Sequence, residues 1–200
     1  MEFVLCFALF WVPFFLGMVE IGLNLIRAIE VTEVCRDAAH MFSYGIDFSD
    51  PGNQAILLKT AQGLDISATG QGVVILSDIS YIGDNDCTGA NLQANPSSCP
   101  NWNKYVIRKR IVIGNSSIRQ SAFGTPKAGD TDSSGNIAPM TYLTDTSCQA
   151  SVTPGTPGFS NLMTLAPGQY AYMAEMTLNS PDLSSWGPLG NTGSSALSIF

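Results

Sequence analysis

The hydrophobic positions of this chain are concentrated at its N-terminus. From Phe3 to Val19 the sequence FVLCFALFWVPFFLGMV contains no charged residue. At about 1.5 Å per helical residue, this run nearly crosses a hydrocarbon layer of roughly 30 Å. No basic stretch precedes it and no small-residue cleavage site follows it, so we expect a retained membrane segment rather than a signal peptide.

The residues that follow predict an amphipathic continuation of the same helix. In the segment 21–42, apolar and small residues recur at spacings of three and four, and charged residues fall largely on other faces. Gly45 and the turn Asp50-Pro51-Gly52 are expected to end a helix that runs from about Met1 to Tyr44. The first half of this helix should bury against lipid or against copies of itself. The predicted inward positions are Ile21, Leu25, Ile29, Thr32, Cys35 and Ala39.

The rest of the chain has the pattern of a β-rich domain. Segments 73–82, 105–114 and 169–178, and a short one at 196–200, are rich in β-branched and aromatic residues and predict strands. The loops between them, notably 125–139 and 153–168, are dense in Gly, Pro, Ser and Asn. An antiparallel sheet packed on the emerging helix would cover its apolar stripe.

The predicted fold class is therefore α+β, in two parts. Residues 1–45 are predicted to form the hydrophobic helix, which would anchor the chain in a membrane or pack among copies of itself, and residues 46–200 are predicted to form a β-rich globular domain. A fragment beginning near Gln54 is expected to fold by itself into a soluble, sheet-rich form. The chain is 45% hydrophobic, which is enough for a real core. Its formal charge of −7 argues against a nucleic-acid partner.

Cysteine placement favours export. Cys87 and Cys99 bracket a polar loop and are predicted to form a disulfide. Cys35 and Cys148 are the next plausible pair, and Cys6 would then stay free in the apolar run.

The sequence offers little catalytic or metal-binding chemistry. It has one histidine, His40, and no C-x-x-C motif, so neither a zinc site of ordinary spacing nor a catalytic triad can be assembled. We predict no metal, no cofactor and no catalytic residues. Carboxylate chemistry from Asp78, Asp84 and Asp86 leaves a membrane-anchored enzyme open as a further hypothesis.

Three N-terminal motifs resemble those of a known family. They are Glu2-Phe3 before the apolar run with Pro13 inside it, then 17–22 (GMVEIG), then 33–39 (EVCRDAA). This pattern is similar to that of the TadE-like pseudopilins of type IV pilus-related machines, and it covers about the first 45 residues. The strand segments GVVILSDISYI and RIVIGNSS are also similar to those of long TadE-like chains.

The resemblance implies a pilin-like fold shaped like a lollipop and a subunit of an extracellular helical filament on a bacterial cell surface. Its implied partners are identical subunits, inner-membrane lipid before assembly, the pilus assembly machinery and a prepilin peptidase. A membrane-anchored minor pseudopilin that primes assembly, or carries an adhesive tip, is the alternative. Copy number distinguishes the two.

The charged residues of the apolar helix have two interpretations each. Glu2 matches the family's N-terminal glutamate by its spacing to Gly17, and a carboxylate costs roughly 2.5 to 3.5 kcal/mol at mid-bilayer, so we expect it to pair with a neighbouring subunit's amino terminus. The alternative places it at the headgroups. Glu20 is either interfacial or a contact between subunits.

Pro13 predicts a kink or local melting near residues 9–13, either to let the helix bend during packing or as an ordinary membrane kink. The complete set of predicted assembly residues is Glu2, Phe3, Phe7, Phe10, Trp11, Pro13, Phe14 and Glu20.

Overall fold

The computed structural model describes residues 2–61, 63–150, 158–179 and 193–200, with side chains from residue 7 onward. Within these ranges the chain forms, in order, α1 (Glu2–Ser43), α2 (Pro51–Thr60), β1 (Gly72–Tyr81), α3 (Asp84–Gly89), β2 (Tyr105–Gly114), α4 (Pro139–Thr144), a 3₁₀ turn (Thr146–Cys148), α5 (Phe159–Leu162), β3 (Tyr170–Leu178) and β4 (Ser194–Ile199).

The predicted long apolar helix is confirmed as α1, which at about 1.5 Å per residue is roughly 63 Å long. It ends in a Schellman motif: the Gly45 amide donates to the Phe42 carbonyl and the Ile46 amide to the Met41 carbonyl. Gly45 takes the left-handed conformation (φ 81°) that this motif requires and that glycine adopts without strain. The helix is continuous through Pro13, so the local melting expected at residues 9–13 is not seen.

All four predicted strands form one antiparallel sheet in the order β2-β1-β3-β4. β1 lies at its centre and pairs with both β2 and β3, while β4 pairs with β3 at one edge. The ladder between β1 and β2 shifts register after Asp78, where an extra residue on β2, Arg108, has no opposite partner. The α+β class predicted from the sequence is thus confirmed.

One face of the sheet packs on the C-terminal part of α1. The buried helix residues are Val31, Val34, Cys35, Ala38, Ala39 and Phe42, at the spacing of three and four that lines one side of a helix. They contact inward side chains of the sheet that include Val74, Leu76 and Met176. Of the predicted inward positions Cys35 and Ala39 are buried, but Ile21, Leu25, Ile29 and Thr32 are exposed.

This core changes where the domain boundary falls. Residues 31–42 belong to the same hydrophobic cluster as the sheet, so a boundary at residue 45 divides that cluster. A fragment beginning near Gln54 would expose the sheet face that α1 covers. Independent folding from residue 54 stays a prediction, and the shared cluster leads us to expect that the folded unit needs residues 31–42 as well.

The opposite face of the sheet is covered by loops and short helices. A second buried cluster joins Ile79, Ile107 and Met173 of the sheet to Phe123 and Phe159 of the loop regions. A third cluster surrounds the disulfide and includes Ile82, Val106 and Leu143. The sheet is therefore buried on both faces, with a helix on one side and irregular chain on the other.

The structure contains one of the two predicted disulfides. Cys87 and Cys99 are bonded, with their Cα atoms 6.1 Å apart. Cys35 and Cys148 are instead free and buried. They belong to clusters on opposite faces of the sheet, so the four-stranded sheet separates the two thiols and prevents this second pairing. Burial raises the pKa of the Cys148 thiol to about 11, which makes it a poor nucleophile.

Candidate assembly surface

The N-terminal two-thirds of α1 carries large apolar side chains that the rest of the described chain does not cover. They lie on all sides of the helix rather than on one face, a pattern typical of a helix buried in lipid or among other helices. The exposed residues are Phe7, Leu9, Phe10, Trp11, Val12, Phe14, Phe15, Leu16, Met18, Val19, Ile21, Leu23, Leu25, Ile26 and Ile29. We call this set the apolar surface of α1.

The aromatic residues of this surface contact one another along the helix. The rings of Phe7 and Trp11 are stacked with centroids 6.1 Å apart, and the Trp11 ring lies 5.9 Å from that of Phe15. Phe14 meets Trp11 edge-on at 6.3 Å. These pairs are three or four residues apart, which is the spacing at which helical side chains meet. They form an exposed aromatic ridge.

The predicted assembly residues other than Glu20 fall into three groups. Phe7, Phe10, Trp11 and Phe14 lie on the apolar surface, and Phe10 is the most exposed of them at 75%. Pro13 is half-buried within the same stretch. The backbones of Glu2 and Phe3 are helical, but their side chains lie outside the described residues, so their predicted roles stay predictions.

Glu20 differs from its neighbours on α1. Its exposed fraction is 8%, whereas Val19 and Ile21 on either side are more than half exposed. Its Oε1 atom is buried and accepts no hydrogen bond from the described residues. A carboxylate oxygen in that position is costly unless a donor reaches it. Between Phe7 and Ile26 it is the one charged residue, so it marks a single depth along the apolar surface.

In the described part of the chain, α1 is the one helix long and apolar enough to cross a membrane. The qualifying segment is Phe7–Ser43, which contains an 18-residue window with a mean hydropathy of 1.8, and only 6% of that window is buried. Length and composition therefore agree with insertion of this helix into a bilayer.

The carboxylates considered for an enzyme have structural roles or lie apart. Asp84 accepts a hydrogen bond from Trp102 Nε1 at 2.7 Å, and Asp86 Oδ2 accepts one from the Gly83 amide at 2.8 Å, which caps α3. Asp78 lies on β1, where burial raises its pKa. Among the described residues, no three His, Cys, Asp or Glu side chains are grouped to hold a metal ion.

A buried polar cluster on the far face of the sheet was not predicted. Glu175 of β3 accepts hydrogen bonds from the Ser121 hydroxyl and, at 2.9 Å, from the Ala122 amide. Arg110 of β2 donates from Nη2 to the Gly124 carbonyl at 3.0 Å. The cluster holds the loop around residues 121–124 against the sheet. A lone glutamate inside an apolar strand, as in AYMAEMTL, was the available signal.

Comparisons of the chain with protein-family models, with curated proteins and with solved structures gave no match.

Proposed function

We propose that this chain is the structural subunit of an extracellular helical pilus-like filament that polymerises through α1. The observation that carries the proposal is the apolar surface of α1, which lies outside the core of the folded unit while the C-terminal third of the same helix is fixed to the sheet. A helix anchored in this way carries its first 25 residues, Glu2 to Ile26, about 37 Å as a rod beyond Arg27, which still lines a cavity with Gly63 and Leu178 of the folded unit.

This rod needs an apolar environment. Burying one large apolar side chain is worth roughly 1.5 to 3 kcal/mol, so an uncovered surface of this size does not persist in water. Lipid satisfies the requirement before assembly. Outside the membrane, copies of the same helix are the partners the chain itself supplies, and bundled helices would form the filament core.

The change from lipid to a helix bundle does not by itself fix how neighbouring helices are aligned. Transfer of Phe10 or Trp11 from lipid to a helix bundle gains little hydrophobic free energy, because lipid is equally apolar. Packing and polar contacts must therefore fix the alignment of neighbours. Glu2 and Glu20 are the acidic groups of the apolar half, and a cationic partner for Glu2 is a neighbouring subunit's amino terminus.

The proposal makes the filament stable once it has formed. Disassembly in water would re-expose the apolar surface of every released subunit, so the filament should resist dilution and salt. The role is tested by electron microscopy of cell-surface filaments with mass-spectrometric identification of the subunit. Immunogold labelling along the whole filament supports a major subunit, and labelling at the tip alone supports a minor pseudopilin.

Charge variants test the alignment role. Glu2→Ala should reduce the number of filaments per cell with subunit levels matched by immunoblot, because it removes a charge from the apolar end of α1. Lys104→Ala is the control, since Lys104 is exposed on the globular domain and exposed pairs contribute about 0 to 1 kcal/mol. Normal filaments from Glu2→Ala would remove the partner role, and a monomeric wild-type protein would remove the filament role.

A further inference from the structure

A cavity of about 240 Å³ opens on the face of the sheet that α1 does not cover. Its floor is the outward side of β1 and β2, where Ile75 pairs with Val112. Its rim is the segment that follows β2, which contributes Ser116, Arg119 and Gln120. The helix packs against Leu76 and Ile111 on the other side of the same strands, so a bundle of α1 helices would leave this cavity open.

The cavity has a cationic lining in an acidic protein. Arg110 and Arg119 both line it, and none of the described residues that line it is acidic. The chain as a whole carries a formal charge of −7. Arg119 is exposed and makes one long contact, 3.4 Å from Nη1 to the Thr177 hydroxyl. The site therefore differs in charge from most of the surface.

Arg110 is the buried member of the pair. Its exposed fraction is 9%, and its Nε atom has no hydrogen-bond partner among the described residues. It forms no ion pair of 4.0 Å or less with a described carboxylate. Burial lowers the pKa of this guanidinium to about 10, and the nearby Glu175 carboxylate opposes that shift without forming an ion pair with Arg110. The Ser77 hydroxyl, which lies opposite Arg110 in the ladder, is also buried without a partner.

The neighbouring carboxylate of Glu175 acts on Arg110 through space but makes no hydrogen bond or ion pair with it. Glu175 is engaged by the Ser121 hydroxyl and the Ala122 amide, which hold the loop against the sheet. A guanidinium presents donors in a planar fork that matches a carboxylate. An anionic group entering the cavity would meet Arg110 from inside and Arg119 from the rim.

We propose that this cavity binds a single hydroxyl-bearing carboxylate of the hexuronic acid class. The two arginines match the carboxylate, and Ser116, Gln120 and Thr125 offer uncharged partners to ring hydroxyls. Val112 gives the sugar ring an apolar wall. The volume is below the roughly 300 to 1,000 Å³ of pockets for drug-sized ligands, which suits one sugar residue. This binding role is independent of the filament role.

The test uses the full chain in lauryldimethylamine oxide micelles, a detergent without a sugar headgroup. Sodium glucuronate, glucose and sodium sulfate are titrated and binding is followed by calorimetry and saturation-transfer NMR. We expect glucuronate to saturate by about 10 mM, as a Kd near 1 mM requires, and glucose to bind at least about tenfold more weakly. No saturation by glucuronate, or equal affinity for glucose or sulfate, would overturn the proposal.

Two variants locate the binding. Arg119→Ala should weaken glucuronate binding at least about tenfold, with partial rescue by Arg119→Lys, because one charge-assisted contact is lost and then partly restored. Val112→Glu should abolish binding by placing a carboxylate on a half-exposed position of the cavity wall. Lys59→Ala, which removes an exposed positive charge on α2, is the control and should bind as wild type. Unchanged binding by Arg119→Ala or Val112→Glu would contradict the assignment.

Discussion

The N-terminal and C-terminal parts of α1 both carry apolar side chains, yet these side chains have opposite environments. In the C-terminal half Val34, Ala38 and Phe42 are at most 4% exposed against the sheet. In the N-terminal half Phe10 and Phe14 are 75% and 60% exposed. The buried side is rich in small residues such as Ala38 and Ala39, which let the helix approach the sheet closely. Apolar character alone does not determine burial within the subunit; a complementary surface does.

The largest expected effect comes from removing either the N-terminal part of α1 alone or the whole of α1. A fragment of residues 28–200 keeps the buried side of α1 and loses most of the apolar surface, so it should be soluble and unfold cooperatively. A fragment of residues 54–200 lacks Val34, Ala38 and Phe42, so it should aggregate or show no cooperative transition. Circular dichroism melts of both fragments provide the measurement.

The opposite results would contradict the roles assigned to the two parts of α1. A folded, soluble fragment of residues 54–200 would show that the sheet does not need α1. An unfolded fragment of residues 28–200 would show that the apolar half contributes to the fold of the single subunit.

The next effect comes from truncating one buried aromatic residue of α1. Phe42→Ala in the fragment of residues 28–200 should cost about 3 to 5 kcal/mol of unfolding free energy, because it leaves a cavity beside Tyr172, whose ring centroid lies 5.5 Å from that of Phe42. Tyr44→Ala is the matched control, since Tyr44 is 75% exposed two residues later and should change stability by about 0.5 kcal/mol or less. Urea denaturation measures both, and equal losses would contradict the assigned burial.

The apolar half should respond in the opposite way. Phe10→Ala should leave the melting of the folded unit in detergent unchanged, because Phe10 touches none of its core clusters. The same change should reduce filament number per cell, because it removes packing area from the proposed filament core. A lowered melting temperature with normal filaments would reverse the roles of the two halves.

A smaller effect is expected in the globular domain far from α1. Replacing both Cys87 and Cys99 by Ser opens a loop with a sequence separation of 12 residues. The loop-closure term predicts a loss of about 3 kcal/mol. Urea unfolding with and without dithiothreitol measures it: reductant should destabilise the wild type and leave the double variant unchanged. Insensitivity of the wild type to reductant would contradict a stabilising disulfide.

The smallest effect concerns a surface pair of the globular domain. Lys127 Nζ lies 2.7 Å from Asp145 Oδ2, and this bond, with the Ser147 amide, lowers the pKa of Asp145 to about 2. The folded pKa is below the unfolded one, so the stabilisation is present above an ordinary aspartate pKa of about 3.9 and is lost as pH falls through about 2.

This pair should contribute little at neutral pH, because the Lys127 side chain is 66% exposed and its charge is screened by salt. Lys127→Ala should flatten the fall in melting temperature between about pH 4 and pH 2, with Lys104→Ala as control. An unchanged acid profile would show that the pair does not set the pKa of Asp145.

The sequence predicted the positions of the helix and strands more accurately than it predicted which side of α1 is buried. The strands were found because β-branched runs bounded by turn residues have few alternative conformations. The inward face of α1 was predicted wrongly at Ile21, Leu25 and Ile29 because apolar character was taken to mark the inward side, whereas Arg27 is the residue of this stretch that lines a cavity with Gly63 and Leu178. The true phase is set by Val31, Val34 and Phe42, which contact the sheet.

The polar chemistry was the least predictable part. Arg110 occurs in the run Arg108-Lys109-Arg110, where nothing in the sequence distinguishes the buried arginine from its half-buried neighbours. The register shift after Asp78 inserts one extra residue on β2, and this shift changes which side chains of that strand share a face. A pattern of alternation cannot reveal a bulge of this kind.

By itself the sequence determined a long apolar helix, a four-stranded β-rich domain and the loop closed by Cys87 and Cys99, because each depends on local pattern and short spacing. The tertiary structure alone decided which half of α1 joins the core, that Cys35 and Cys148 stay apart, and that Arg110 lines a cavity with Arg119. These outcomes depend on contacts between residues distant in the chain, and such contacts are fixed by packing and strand register rather than by any local preference.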